Sequence, residues 1–125
     1  MVKSTEELLN VAAQAIYDKQ GFNIFALDLR GISTMTDYFI VAEGNVDRHV
    51  QALAKTIVET LEKEGAAPLR REGEEEGRWV VLDFGFLVVH LFVPELREKY
   101  QLEQLWAAGN IVDLIINTGP NPTIG

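Results

Sequence analysis

The fold is decided by the densest apolar run of the chain, WVVLDFGFLVVHLFV, which extends from Trp79 to Val93. This run is about three times as long as an ordinary strand of ~5 residues. The triplet Asp83-Phe84-Gly85 in its middle is typical of a turn. The run therefore predicts a tight hairpin of two strands in the interior of a β-sheet. Pro94 ends the second strand and predicts the start of a short helix.

The N-terminal segment predicts a helix followed by two strands. Ser4 and Glu7 have the spacing of a capping box, and an apolar stripe at helical spacing follows them until Gly21 ends the helix. Residues 22–29 and 37–43 are short, apolar and rich in aromatic and β-branched side chains, which indicates strands.

A second helix connects these strands to the hairpin. We predict that Gly44-Asn45 caps it and that Lys63-Glu64-Gly65 ends it. The stripe typical of a helix lying on a sheet consists of Val50, Leu53, Ala54, Ile57, Val58 and Leu61. A strand, a helix and further strands imply at least one βαβ-type unit and an α/β fold.

The remaining segments are polar or short. Residues 70–78 contain no apolar side chain, so we predict an exposed turn there rather than an acidic metal site. Residues 100–106 predict a last short helix, and a short apolar run follows at 111–116. The end of the chain, 117–125, is rich in Gly, Pro and Asn and is predicted to be disordered.

The length, composition and charge of the chain limit the kinds of protein that it can be. The chain has 125 residues, 47% of them apolar, which predicts one globular domain with its own core. No Cys is present, which excludes disulfides, a thiolate nucleophile and Cys-ligated metals. The net charge of −8 argues against direct nucleic-acid binding and favours a basic partner or solubility. We recognise neither a signal peptide nor a membrane span, so the expected location is cytoplasmic.

Metal-dependent nucleotidyl transfer is the alternative function. Gly31-Ile32-Ser33 lies between two predicted strands, and Asp37 opens the second of them. Nucleotidyltransferases place a second carboxylate close to the first, but Tyr38 and Phe39 follow here. Asp83 lies on another element, whereas two-metal chemistry needs bridging carboxylates on one face. We therefore expect no catalytic residue, no metal ligand and no cofactor.

The two histidines and Asp83 have simpler interpretations. His49, beside Arg48 near a helix N-terminus, either holds an anion or faces solvent as part of the cap. His90 is expected to share one strand face with Val88 and Phe92 as a hydrogen-bonded structural residue. Asp83 is most simply a turn former whose carboxylate accepts nearby backbone N–H groups.

Aromatic side chains are concentrated in the C-terminal third of the chain, which favours a binding module over an enzyme. They are Trp79, Phe84, Phe86, Phe92, Tyr100 and Trp106. Core packing accounts most simply for the phenylalanines, and less well for Tyr100 and Trp106 in their polar surroundings.

Several segments together resemble the ribosomal silencing factor, or Iojap-like, family, and the resemblance extends from about Leu8 to Ile111. The segments are DYFIVA at 37–42, GN at 44–45 with RHV at 48–50, WVVLDFG at 79–85, VVHLF at 88–92 and YxLExLW at 100–106. Their order along the chain, rather than any single motif, makes the resemblance specific.

The resemblance implies a single α/β domain over residues 1–116, with a mixed sheet of about five strands, helices packed on it and a nucleotidyltransferase-like fold without that activity. It also implies a translational repressor that binds the large ribosomal subunit through universal ribosomal protein fourteen (uL14) and sterically blocks joining of the small subunit. Free members of the family are often homodimers.

By motif position, the resemblance places the partner contact on seven residues. They are Trp79, Asp83, His90, Phe92, Tyr100, Glu103 and Trp106. Aromatic side chains would anchor the contact, and carboxylates would pair with Lys or Arg of the partner. Two positions depart from the family pattern, since Phe86 and Ala108 stand where an acidic residue is usual.

Overall fold

This computed structural model describes residues 3–100 and 110–118, with the side chains of residues 98–100 excepted. Three helices and six strands lie in these residues. In chain order they are α1 (Thr5–Asp18), β1 (Phe22–Asp28), β2 (Tyr38–Glu43), α2 (Asp47–Lys63), β3 (Arg70–Glu72), β4 (Trp79–Asp83), β5 (Leu87–Phe92), α3 (Pro94–Tyr100) and β6 (Asn110–Ile111).

The strands form one mixed sheet in the order β3-β4-β5-β2-β1-β6. The central pair, β2 and β5, is parallel, and the four other pairings are antiparallel. This confirms the predicted α/β domain with a mixed sheet, at six strands rather than about five. The prediction of a turn over residues 70–78 was wrong for β3, which pairs with β4 at the edge of the sheet. All three β3 residues are exposed, so no apolar pattern marks this strand.

The predicted hairpin is confirmed, and its two strands lie inside the sheet. Asp83 lies opposite Val88 at the end of the paired region. Gly85 adopts a φ of +90° at the turn, a conformation that side chains with a Cβ rarely take. Its N–H donates to Oδ1 of Asp83 at 2.8 Å, which confirms Asp83 as a turn former.

Helices α1 and α2 pack on the same face of the sheet, because their buried stripes join one core cluster with the strands. The Ser4–Glu7 capping box forms as predicted, and the predicted apolar stripe of α2 is fully buried. Helix α1 ends at Asp18, earlier than predicted. Gly21 then passes so close to the helix that an added Cβ would lie 2.4 Å from Cγ2 of Ile16.

The predicted Asn45 cap of α2 was wrong. The N-cap residue is Val46, which makes no side-chain cap bond and is 56% exposed. One of the first backbone donors instead finds another acceptor, since the Arg48 N–H donates to Oδ1 of Asp47 at 2.7 Å. The side-chain cap that the sequence predicts is thus replaced by a bond from the Arg48 N–H to the neighbouring Asp47 carboxylate.

The C-terminal part of the described chain lies along α1. Helix α3 begins at Pro94 as predicted, whereas residues 101–109, with most of the predicted last helix, lie outside the described residues. After β6, the Ile115 N–H donates to Oδ1 of Asn10 and the Asn117 N–H donates to Oε1 of Gln14. The predicted disorder beyond residue 116 stays a prediction, and residues 119–125 lie outside the described residues.

None of the helices in the described part of the chain has the length and apolar character that a membrane span requires.

Candidate functional site

The face of the sheet opposite α1 and α2 carries the candidate site. We call it the open face because neither of these helices covers it, although Leu27, Val41 and Phe92 on this face are buried. Strand alternation sends every second side chain of each strand to this face. On the four central strands these side chains are Phe25, Leu27, Phe39, Val41, Glu43, Trp79, Val81, Asp83, Val88, His90 and Phe92. The expectation that His90 shares a face with Val88 and Phe92 is confirmed, because the intervening residues Leu87, Val89 and Leu91 belong to the helix-covered core cluster.

Strand register sets the layout of the open face. His90 lies in its middle, directly opposite Val81 of β4 and Val41 of β2. Asp83 lies toward the hairpin turn, and Trp79 lies toward the other end of β4. The hairpin therefore brings together one indole, one imidazole and one carboxylate that are up to eleven positions apart in sequence.

Four rings on three strands form what we call the aromatic cluster, namely Phe39, Trp79, His90 and Phe92. The His90 ring lies 4.5 Å from that of Phe39 and 6.1 Å from that of Phe92, between centroids. Trp79 stacks on Phe92 at 5.1 Å. Ring contacts at these distances are typical of favourable aromatic pairs. Phe92 is 0% exposed and forms the floor of the cluster, while the other three rings remain half-buried.

His90 is held neutral in this cluster. Burial lowers its pKa from 6.5 to about 4, because the surrounding rings solvate an imidazolium poorly. The Trp79 indole Nε1–H donates to Nδ1 of His90 at 3.0 Å. An imidazole that accepts at Nδ1 and is neutral carries its proton on Nε2. The Trp79–His90 bond thus fixes both the tautomer of His90 and the orientation of the indole.

The carboxylate of Asp83 is shared between the turn and the edge strand. Besides accepting the Gly85 N–H, it lies 3.6 Å from Nε of Arg70. Within residues 3–100 and 110–118, no group of three or more His, Asp and Glu side chains is arranged to hold a metal ion. The partners of Asp83 are thus the Gly85 N–H and the Arg70 guanidinium.

A buried ion pair at one end of the open face was missed from the sequence. Nη1 of Arg97 on α3 donates to Oε2 of Glu43 and to the Asn23 carbonyl, each at 2.8 Å. Asn23 Nδ2 also donates to that Glu43 oxygen at 3.2 Å. Both charged side chains are about nine-tenths buried. This network joins α3 to β1 and β2, and nothing in the spacing of the three residues predicts it.

His49 belongs to the cap region and is not an anion ligand. Its Nδ1 accepts the Asn45 N–H at 2.9 Å, and its Nε2 lies 2.7 Å from the Lys19 carbonyl oxygen. The second bond requires a proton on Nε2, so both nitrogens are used within the chain. The cap interpretation of His49 is confirmed, and the anion-binding interpretation was wrong.

Four of the seven predicted contact residues lie together on the hairpin. Trp79, Asp83, His90 and Phe92 share the open face, although Phe92 has no exposed surface. Phe86, one of the two departures, is half-buried beside Phe84, with a ring separation of 6.5 Å. The Tyr100 side chain, Glu103, Trp106 and the other departure, Ala108, lie outside the described residues.

Sequence reasoning missed Phe39 as a member of the site. The alternation of β2, in which Tyr38 and Ile40 point to the helix-covered core, already places Phe39 on the other face. What the sequence lacks is the strand order, which puts β2 beside β5 and brings Phe39 onto His90.

Comparison with known proteins places this geometry in a family. The family model described as "Ribosomal silencing factor during starvation" matches residues 2–122. The chain belongs to the ribosomal silencing factor family. A ribosome-associated silencing role follows at the level of the family.

Individual relatives support the same assignment. A ribosomal silencing factor of Bacillus subtilis is 41% identical over 109 residues, which cover 87% of this chain and 92% of the relative. A crystal structure of a Chromobacterium violaceum protein superposes with a TM-score of 0.81 at 30% identity, over 98% of this chain and all of that chain. A mouse protein named for mitochondrial assembly of the ribosomal large subunit is 36% identical over 62% of this chain and 36% of its own length. The relatives that this chain matches therefore include proteins named for silencing and one named for large-subunit assembly.

Proposed function

We propose that this chain is a translational repressor that binds the large ribosomal subunit through ribosomal protein uL14 and sterically blocks joining of the small subunit. The observation that carries the proposal is the aromatic cluster on the open face, in a chain of the ribosomal silencing factor family. To act in this way, the protein has only to occupy the surface of the large subunit that the small subunit must contact. The proposed role requires no bond-breaking step. The proposed location is the cytoplasm, where the ribosomes of the bacterial relatives work.

The aromatic cluster has the chemistry of a protein-binding surface. Trp is among the residues that dominate binding energy at protein interfaces, above all when neighbouring groups exclude water from it. Trp79 is half-buried against Phe92 and is oriented by His90, so little side-chain entropy remains to be lost on binding. The indole therefore serves as the proposed anchor.

Charge favours a basic protein over ribosomal RNA as the partner. The net charge of −8 repels phosphate and attracts a surface rich in Lys and Arg. Asp83 supplies a carboxylate beside the aromatic cluster. By family resemblance, the proposed contact also includes Tyr100, the last residue of α3, and Glu103 and Trp106, which follow it in the sequence.

A homodimer is the proposed state of the free protein. A partly exposed aromatic cluster is a liability for an isolated chain, and a second copy would cover it. Dimer formation and ribosome binding would then compete for the open face.

Subunit joining measured by light scattering tests the proposal. Large and small subunits from the source organism are mixed at rising Mg²⁺, with and without the protein. We expect the joining signal to fall with the parent protein and Trp79→Ala to weaken inhibition by about 30-fold or more, the loss typical of an anchoring Trp. Tyr17→Ala is the matched control, because Tyr17 is an exposed aromatic residue on α1. Joining that is unimpaired at saturating parent protein would remove the proposal.

A pair of substitutions at one position tests the charge argument. Val88 is half-buried on the open face, next to Asp83 in the register. Val88→Lys and Val88→Glu disturb the local packing similarly but place opposite charges against the partner. We expect Val88→Lys to weaken inhibition more than Val88→Glu, because the proposed partner is basic. Equal effects, with equal thermal unfolding midpoints, would argue against a basic partner on this face.

A further inference from the structure

The Nε2–H of His90 is a hydrogen-bond donor without a partner among the described residues of this chain. Trp79 occupies Nδ1, and no contact to Nε2 is made within residues 3–100 and 110–118. This nitrogen is also not one of the fully buried polar atoms that lack a partner. The donor therefore reaches the surface between the rings of the aromatic cluster.

Its surroundings make this donor well defined. Two rings lie against the imidazole, that of Phe39 on β2 and that of Phe92, two residues further along β5. The Trp79 indole holds the Nδ1 side of the imidazole through its hydrogen bond. The neutral imidazole cannot exchange its tautomer without losing the bond from Trp79. His90 thus offers one N–H in one orientation, rather than a group that adapts to any partner.

The charge of the chain selects among possible acceptors. A carboxylate or a phosphate would approach an acidic protein beside the carboxylate of Asp83, which is unfavourable. A carbonyl oxygen accepts the same hydrogen bond and carries no net charge. A partner that covers the patch without such an acceptor would leave the N–H buried and unpaired, at a cost in affinity.

We propose that His90 recognises a neutral carbonyl oxygen of the ribosomal protein partner through its Nε2–H, in an orientation set by Trp79. This inference rests on the proposed function, because it specifies which group of the ribosomal protein partner must lie against the open face. His90 acts by direct contact, and Trp79 acts both as an anchor and as the positioning residue for His90.

The tautomer is tested first, in the free protein. Long-range ¹H–¹⁵N correlation spectra at neutral pH should show an unprotonated Nδ1 and a protonated Nε2 for His90. Trp79→Phe keeps an aromatic ring but removes the N–H, so the His90 signals should shift toward a mixture of tautomers. A protonated Nδ1 in the parent protein, or a His90 spectrum that Trp79→Phe leaves unchanged, would overturn the inference.

Affinity for large ribosomal subunits is tested next, by fluorescence anisotropy of protein carrying an N-terminal dye. We expect His90→Phe, which keeps a ring but removes the donor, to weaken binding about tenfold, a loss within the range for a buried carbonyl acceptor left unpaired on the partner. His90→Gln should bind within about threefold of the parent, because its amide oxygen accepts from Trp79 while its NH₂ donates outward. Rescue by Gln separates hydrogen bonding from a merely structural role of the ring.

The outcomes distinguish the two proposals. If Trp79→Ala weakens binding and His90→Phe does not, the open face is the contact but the donor role of His90 is wrong. If neither substitution weakens binding, the contact lies elsewhere on the chain, so the anchoring role of Trp79 and the donor role of His90 are both wrong, while the light-scattering result for the parent protein still decides the proposed function. Parent protein that does not bind the large subunit would overturn both proposals.

Discussion

The two faces of the sheet differ in chemistry although they share the same strands. The helix-covered face is lined by aliphatic side chains such as Ile40, Leu82 and Val89, all of which are fully buried. The open face carries the indole of Trp79, the imidazole of His90 and the carboxylate of Asp83, all half-buried. Because consecutive residues of a strand alternate between faces, one short hairpin supplies both core side chains and the side chains of the proposed contact surface. A substitution on one face can therefore be made without changing the side chains of the other face.

The largest expected effect comes from the buried ion pair at the end of the open face. Arg97→Leu leaves the Glu43 carboxylate buried without its guanidinium, and we expect a loss of about 3–5 kcal/mol in the free energy of unfolding. Urea denaturation measures this loss. The double variant Arg97→Leu/Glu43→Leu should recover most of it, since no uncompensated charge remains. A double variant as unstable as the single one would show that lost packing, rather than an uncompensated charge, accounts for the loss in the free energy of unfolding.

Adjacent valines of β5 provide the most direct comparison of the faces. Val89 is fully buried under the helices, and Val88 is half-buried on the open face. We expect Val89→Ala to lower the free energy of unfolding by about 2–3 kcal/mol, and Val88→Ala by about 1 kcal/mol or less, because the cavity term applies mainly to the first. Chemical denaturation of both variants measures the difference. Equal losses would mean that the open face is packed as tightly as the core.

Acid is expected to destabilise the open face through His90. Its pKa is about 4 in the folded chain and near 6.5 when unfolded, so the unfolded chain binds a proton that the folded chain excludes between these values. The free energy of unfolding should therefore fall as the pH drops from about 6.5 toward 4, by on the order of 3 kcal/mol. Urea denaturation at several pH values, for the parent and for His90→Phe, isolates this contribution. An identical pH dependence in the two proteins would contradict it.

The smallest expected effect concerns an exposed ion pair at the sheet edge. Arg71 of β3 lies opposite Leu82 of β4. Its Nε and Nη2 donate to the two carboxylate oxygens of Glu74, at 2.7 Å and 2.8 Å. Arg71→Ala should cost less than about 1 kcal/mol, because solvent screens the pair and its side chains give up entropy. Thermal unfolding of this variant beside Arg97→Leu compares an exposed pair with a buried one. A large loss for Arg71→Ala would show that the edge strand depends on this pair.

Much of the fold could be predicted because local patterns agree with the tertiary structure. The capping box of α1, the stripe of α2 and the Asp83-Phe84-Gly85 turn all follow from residue types at fixed spacing. Strand β3 could not be predicted, since Arg70–Glu72 owes its conformation to pairing with β4. The Val46 cap was missed because it uses no side chain of its own.

The candidate site was predicted only as far as one hairpin extends. Alternation along β4 and β5 places Trp79, Asp83 and His90 on one face without further information. Phe39 and the Arg97–Glu43 pair come from strands and a helix whose neighbours are set by the sheet order. A single sequence does not contain that order, so the long-range contacts had to come from the structure.

The parallel pairing of β2 with β5 has a consequence for the order of folding. Local units such as the β4–β5 hairpin close a short loop and form on a timescale of roughly 1–10 μs. The parallel pair joins strands separated by α2, β3 and β4, so the loop entropy of that whole stretch is lost before their hydrogen bonds form. The hairpin and α2 should therefore assemble first, and β2 should dock onto β5 late. The open face is completed in that last step, because Phe39 reaches His90 only when the two central strands meet.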